Sequence, residues 1–260
     1  MTEPTNNPNG AAVYTGAPWA FRRAIAQGKS LVTPTWGMGD TAIALVGAAI
    51  LGVTTSVVLV LAHTDPANGW GLIVSTTAPW IFLAGWPIFS SWQKGNGARL
   101  DFGLLATSDQ IRFGLIAGVI AITAGGLIGF IQQQITGPIS SAAGDIAKNQ
   151  QGLVLFVFIL MMIFGAPIVE EIAFRGLLFS SLVKAQVSGY LAVGVSALVF
   201  ALFHFEPSRI LILLAIGLVL GEVRRRTGST LASIATHCVV NTPAALVIGL
   251  SALGFGPGLN

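Results

Sequence analysis

Charge is what this sequence has least of. Of 260 residues only 9% are Asp, Glu, Lys or Arg, against 53% hydrophobic, whereas an ordinary soluble domain carries about 25% charged residues. So little charge cannot cover a water-facing surface, which excludes a single soluble globule and a nucleic-acid-binding module built on basic patches. Cysteine is scarcer still: the lone Cys238 excludes an internal disulfide and any zinc site made of cysteines. The short alternating segments of a membrane β-barrel are missing too, because runs such as 153–163 and 211–220 are continuously apolar. No internal or inverted repeat is visible, which counts against a secondary transporter. What remains is an all-α, polytopic transmembrane helical bundle.

At about 20 residues per helical span, the chain has room for at most eight or nine. Apolar stretches at 41–62, 70–92, 111–131, 152–182, 188–204, 210–222 and 230–250 predict seven, within a range of six to eight. The basic residues support that count. Arg22, Arg23, Lys29, Lys94, Arg99, Arg112, Lys184, Arg224, Arg225 and Arg226 fall on one side, and only Lys148 and Arg209 on the other. By the positive-inside rule the N-terminus is cytoplasmic and the C-terminus outside, in the plasma membrane of the cell. The basic excess is thus a topology signal.

The expected organisation is a disordered cytoplasmic N-terminal tail (1–35) whose first residues lack a signal-peptide core, N-terminal transmembrane helices (36–150), a more polar helical core (151–250) and a C-terminal tail (251–260). Trp70, Trp80, Trp86 and Trp92 in and around the second span suit membrane interfaces at its ends. Small residues four apart (Gly114 and Gly118, Gly125 and Gly129, Gly217 and Gly221) predict close helix packing.

An ionisable group inside a span is expensive unless paired or wetted, so it marks function by default. The first 150 residues offer almost none, while 165–241 hold Glu170, Glu171, Arg175, His204, His237 and Asn241. In GAPIVEEIAFRG, Pro167 predicts an irregular helix near Glu170. Glu171 and Arg175 are four apart with the acid first, the favourable order for an ion pair. Glu170 points about 100° away and is left free to act as a general base. The competing structural reading is that all three form one buried salt-bridge network. Phe200 and His204 share a face in FALFHF, as do His237 and Asn241 in HCVVN. A lone buried histidine is more often a packing residue. Here two of only three histidines lie at membrane depth close after the Glu pair, with His63 in a loop. Cys238 reads as a small buried residue. The apolar run 210–221 spans only about 18 Å, short of the roughly 30 Å hydrocarbon core. That shortfall predicts a turn at 205–209 sunk below the surface, and a wet, partly enclosed cavity holding Glu170, His204, His237 and Asn241.

EEIAFR, FALFH and HCVVN fit EExxxR, FxxxH and HxxxN, in that order within 72 residues. Together they resemble the CAAX protease and bacteriocin-processing (CPBP, or Abi) family of intramembrane proteases, to which the Ras-converting CAAX endopeptidase belongs. The resemblance covers roughly 150–250 and implies a catalytic core there. It implies that Glu170 activates water, that His204 holds or deprotonates that water, and that His237 and Asn241 steady the oxyanion. Glu171, Arg175 and Phe200 would support them. The family is commonly labelled metalloendopeptidase, and Glu170, His204 and His237 would be the ligands if zinc is used. The alternative is a metal-free glutamate mechanism, favoured because the spacing lacks the HExxH pattern.

The implied function is an intramembrane endopeptidase acting on a membrane-associated protein or peptide, lipidated or not, in contact with the lipid bilayer and with no nucleic-acid partner. Two other readings compete. A non-enzymatic immunity or scaffold protein would keep the motifs as structural polar networks, but the motif set is complete. An ion or proton transporter would use Glu170 and the histidines as a relay, but the first half carries no second acidic cluster.

Overall fold

The computed structural model describes residues 14–255, and among them every regular element is helical. Eight helices organise the chain: α1 (Trp19–Ala26), α2 (Met38–Leu61), α3 (Gly69–Lys94), α4 (Ser108–Thr136), α5 (Gly152–Lys184), α6 (Gly189–Phe203), α7 (Ile210–Thr227) and α8 (Thr230–Ala252). Five of them, α2, α3, α4, α5 and α8, are long and apolar enough to cross a membrane, and α6 is a shorter apolar helix of 15 residues. The chain is a helical integral membrane protein. The apolar run at 210–221 does not end its helix as expected. α7 continues to Thr227, 18 residues in all, or about 27 Å, because its last turn is held by polar contacts instead of lipid.

Part of the stretch expected as a tail is structured. Residues 1–13 lie outside the described part, but α1 forms within it. Phe21 and Ala24 of α1 are buried with Ala17, which precedes the helix, and Leu31 in a small apolar cluster. Composition understated this segment because a few apolar side chains are enough to dock so short a helix.

Two of the three glycine pairs give the close packing their spacing predicts, while Gly125 and Gly129 meet only isoleucine side chains of α7. A Cβ at Gly114 would stand 2.5 Å from the Ala232 carbonyl oxygen, and one at Gly118 2.7 Å from the Val239 side chain, so α4 lies backbone to backbone on α8. A Cβ at Gly217 would meet the Ala197 backbone at 3.0 Å, and one at Gly221 the Val193 side chain at 3.1 Å, so α7 approaches α6 in the same way. The α6–α7 and α4–α8 pairs are the most extensive in the molecule, and α4 also lies along α7. They form a block against which α5 packs. The turn between α6 and α7 is irregular, with Phe205 at φ 53° and a single 3₁₀ turn at Pro207–Arg209. Gln132 of α4 donates to the Ser208 carbonyl at 2.5 Å, so protein satisfies backbone that no helix serves.

Ionisable groups of the first 150 residues also reach the interior. Asp101 is fully buried and accepts from Trp36 Nε1 (2.9 Å), Ser91 Oγ (2.7 Å) and Asn96 (2.8 and 3.1 Å). Lys184 Nζ donates to the Pro34 and Trp36 carbonyls and lies over the Trp36 ring. This network ties the N-terminal segment to the last turn of α5. It lies at one end of the bundle, where charge is cheapest to place.

Gly114→Ala should lower unfolding stability in detergent by about 1–3 kcal/mol through overpacking. Gly126→Ala, at a position with open space around it, should leave stability unchanged or slightly raised. Thermal unfolding of the two variants beside the parent checks the pair, and equal behaviour would refute the close α4–α8 contact.

Candidate active site

The central helix α5 is not uniformly wound. Two π-type turns, Met161–Gly165 and Ile172–Leu178, flank one short α-helical segment, Ala166–Glu171. Such turns insert a residue and are found mostly at functional sites. Both acidic residues sit at the end of the segment between them.

The first π turn follows from sequence. The Ala166 N–H reaches back to the Met161 carbonyl instead of Met162. The donor five residues beyond Met162 is Pro167, which has no N–H. The Met162 carbonyl is therefore without a main-chain donor from its own helix. Asn241 of α8 supplies one through Nδ2 at 2.9 Å. In the second π turn the Phe179 N–H reaches back to Phe174, so the Arg175 carbonyl loses its usual α-helical partner.

Within this frame the two acids diverge as their 100° separation predicts. Glu171 and Arg175 have no exposed side-chain surface and pair at 2.8 Å through Oε1 and an Arg175 terminal nitrogen. The other terminal nitrogen of Arg175 donates to the Gly217 carbonyl of α7 at 2.9 Å. Glu171 Oε1 also lies 3.0 Å from Nδ1 of His237 on α8. A carboxylate paired with arginine only accepts, so Nδ1 carries the hydrogen and His237 Nε2 is the outward nitrogen. That nitrogen faces Glu170 Oε2 at 3.9 Å. His204, just past the end of α6, donates from Nδ1 to the Phe200 carbonyl at 2.8 Å and turns Nε2 to the same Glu170 oxygen at 3.8 Å. Glu170 and His204 keep 21% and 23% of their side chains exposed, while His237 keeps 5%. Glu170 and His204 are thus the more accessible pair.

Phe200 stands at the centre. Its ring lies 4.5 Å from the His204 ring and 5.6 Å from that of His237, both edge-on, and 4.6 Å below the Arg175 guanidinium. It is fully buried, against Phe174. The structure therefore brings together Glu170, His204 and His237 on one side and Glu171, Arg175 and His237 on the other, joined by the His237 ring and packed on Phe200. Asn241 lies one turn along α8 from His237 and is engaged with the Met162 carbonyl.

Zinc can be tested against this arrangement. Donors on one tetrahedral zinc, each about 2.0–2.1 Å from the ion, stand about 3.4 Å apart. The Glu170 oxygen is 3.8 and 3.9 Å from the two imidazole nitrogens. Among the described residues no group of three or more His, Cys, Asp or Glu side chains is arranged to hold a metal ion. Glu170, His204 and His237 as disposed do not fit zinc, and no step below runs through a metal.

Two features escape sequence reading. The freed Met162 carbonyl is signalled only by Pro167 five residues later. Arg224, counted as a topology charge, is 1% exposed; the signal is its spacing from Gly217 and Gly221, which puts all three on one helical face. Cys238, half-exposed at most, takes no part in these contacts.

The fold and site define a helical integral membrane protein whose interior holds a Glu–His–His cluster braced by a buried ion pair. Residues 152–243 match the family model described as Rce1-like, type II CAAX prenyl endopeptidase. Over that segment, which contains all three motifs, the chain is similar to that family. No curated protein and no solved structure matches the chain.

Removing one partner of a buried ion pair leaves an uncompensated charge and is strongly destabilising. Glu171→Gln should therefore cost about 3 kcal/mol of unfolding stability, whereas Glu170→Gln should cost under about 1 kcal/mol. Chemical unfolding in detergent measures both, and equal losses would contradict the division of labour between the two acids.

Proposed function

We propose that the protein is an intramembrane endopeptidase in which Glu170 activates the attacking water. The observation that carries this reading is the convergence of His204 Nε2 and His237 Nε2 on one Glu170 oxygen at 3.8 and 3.9 Å. In neutral rings whose Nδ1 atoms donate elsewhere, both Nε2 atoms are acceptors. Three acceptors facing one another need a donor between them. A water with two hydrogens fits, since bonds of about 2.8 Å to each of two such atoms span gaps of this size.

In the proposed step Glu170 takes one water proton as the oxygen attacks the peptide carbonyl, and His204 holds the water's other hydrogen. The carbon–oxygen bond forms, and negative charge develops on the carbonyl oxygen. The second Asn241 N–H donates to that oxyanion, and the His237 ring does so too once Glu170 relays the water proton to its Nε2 and until Glu170 takes that proton back. The charge of Glu171 pairs with the cationic ring. Glu170 then passes its proton to the leaving amide nitrogen as the carbon–nitrogen bond breaks, and its carboxylate is restored. Fixed donors in a low-dielectric site stabilise such charge effectively.

The substrate on this reading is a membrane-associated protein or peptide, in line with the prenyl endopeptidase description of the matching family. A cytoplasmic N-terminus belongs to the same proposal and rests on the asymmetry of Lys and Arg; a plasma-membrane location is proposed with it. A merely structural role for the motifs is the second reading, favoured by the fully buried Glu171–Arg175 pair.

In proteoliposomes, Glu170→Ala and His204→Ala should abolish cleavage with little loss of folding, and 1,10-phenanthroline should leave the wild-type rate unchanged. Candidate substrates come from comparing peptide termini in membranes carrying the wild type and Glu170→Ala. Cleavage undiminished in Glu170→Ala would overturn the assignment.

A further inference from the structure

The segment that carries Glu170 and Glu171 is bounded by two π turns, and each leaves a carbonyl without its α-helical donor. Asn241 serves the first. The second, at Arg175, is served from α7: Arg224 Nε donates to the Arg175 carbonyl at 3.2 Å, and an Arg224 terminal nitrogen donates to Ser180 Oγ at 3.1 Å. The guanidinium thus spans the π turn from both sides of its end. Its plane also lies 5.1 Å from the Phe179 ring centre.

Arg224 is an unusual place to spend a charge. It is buried, and among the described residues it makes no ion pair with a carboxylate, while its neighbours Arg225 and Arg226 both pair with Glu222. A buried cation without a carboxylate partner carries a large desolvation cost. A topology signal needs only an exposed charge, which Arg226 already provides. The hydrogen-bond geometry accounts for Arg224 where topology does not.

The contact is also reciprocal. Arg175 donates to the Gly217 carbonyl of α7, and Arg224 of α7 donates to the carbonyl of Arg175. Two guanidiniums therefore lock α7 to the π turn at positions seven residues apart along α7. The locked residue, Arg175, is the one that holds Glu171 Oε1, and Glu171 Oε1 in turn orients His237. We propose that Arg224 is a positioning residue for the site: by closing the second π turn it sets the Arg175–Glu171–His237 chain, and through it the direction of His237 Nε2. The inference rests on the peptidase reading only for its kinetic consequence, since the geometry it predicts at His237 is observable without turnover.

The sequence holds three histidines, so ¹⁵N-histidine labelling of the full-length protein in detergent yields few signals, assignable with His63→Asn and His204→Gln. Arg224→Lys keeps the charge but cannot offer two donors in a fixed fork. It should move the His237 nitrogen shifts away from the Nδ1-protonated form and leave those of His63 in place. Arg226→Lys, at an exposed site, should move neither. With a cleavable peptide, Arg224→Lys should lower kcat by about tenfold or more, as small misplacements do, with KM within about twofold. If the lysine variant fails to fold, Ser180→Ala removes one of the two contacts and should shift His237 in the same direction by less. Unchanged His237 shifts in Arg224→Lys, or shifts spread equally over all three histidines, would overturn the proposal. Absence of cleavage by the wild type would overturn the peptidase reading alone, because the nitrogen shifts still decide the role of Arg224.

Discussion

Glu171 Oε1 accepts from Arg175 at 2.8 Å and from His237 at 3.0 Å, with neither acid nor base of the ion pair exposed. A carboxylate buried to that extent must be compensated, and the requirement propagates through the fold. It draws α8 to α5 through His237 and, by way of Arg175, draws α7 to α5 through the Gly217 carbonyl. The glycine faces of α4 and α7 allow those helices to come close enough for polar atoms on different helices to meet. Packing in a bilayer has no hydrophobic drive between helices to do this, so small residues and interhelical hydrogen bonds take over.

The winding of α5 is the second constraint. A regular α-helix would satisfy all its carbonyls internally and offer nothing to its neighbours. The two π turns instead leave Met162 and Arg175 with carbonyls that other helices bind, through Asn241 and Arg224. The irregularity costs main-chain hydrogen bonds within α5 and returns them as contacts between helices. It also presents Glu170 to His204 and His237 while Glu171 turns to the interior. One six-residue segment thus serves both an accessible acid and a buried one.

Much of this was legible. The scarcity of charge located the polar cluster, and the i, i+4 spacing identified the Glu171–Arg175 pair and assigned Phe200 and His204 to one face. Pro167 announced an irregular helix. Other features were not legible. The ordered α1 within the expected tail depends on a small apolar cluster around Phe21 and Ala24 that also takes in Leu100, far along the chain. The length of α7 was underestimated because its last turn is polar and held by side chains. The buried Asp101 network lay hidden because each of its members is an ordinary loop or helix-end residue.

Sequence by itself determined the class of the protein, the run of apolar helices and the faces on which Glu170, Glu171, His204 and His237 lie, because composition and helical periodicity are local properties of the chain. Tertiary structure alone decided what Arg224 binds in the interior, which ring nitrogen of each histidine faces Glu170, and which side chains of other helices serve the carbonyls that the π turns leave open. Those outcomes depend on what another helix brings within about 3 Å. A hydrogen bond between helices has no counterpart in the spacing of residues along one of them.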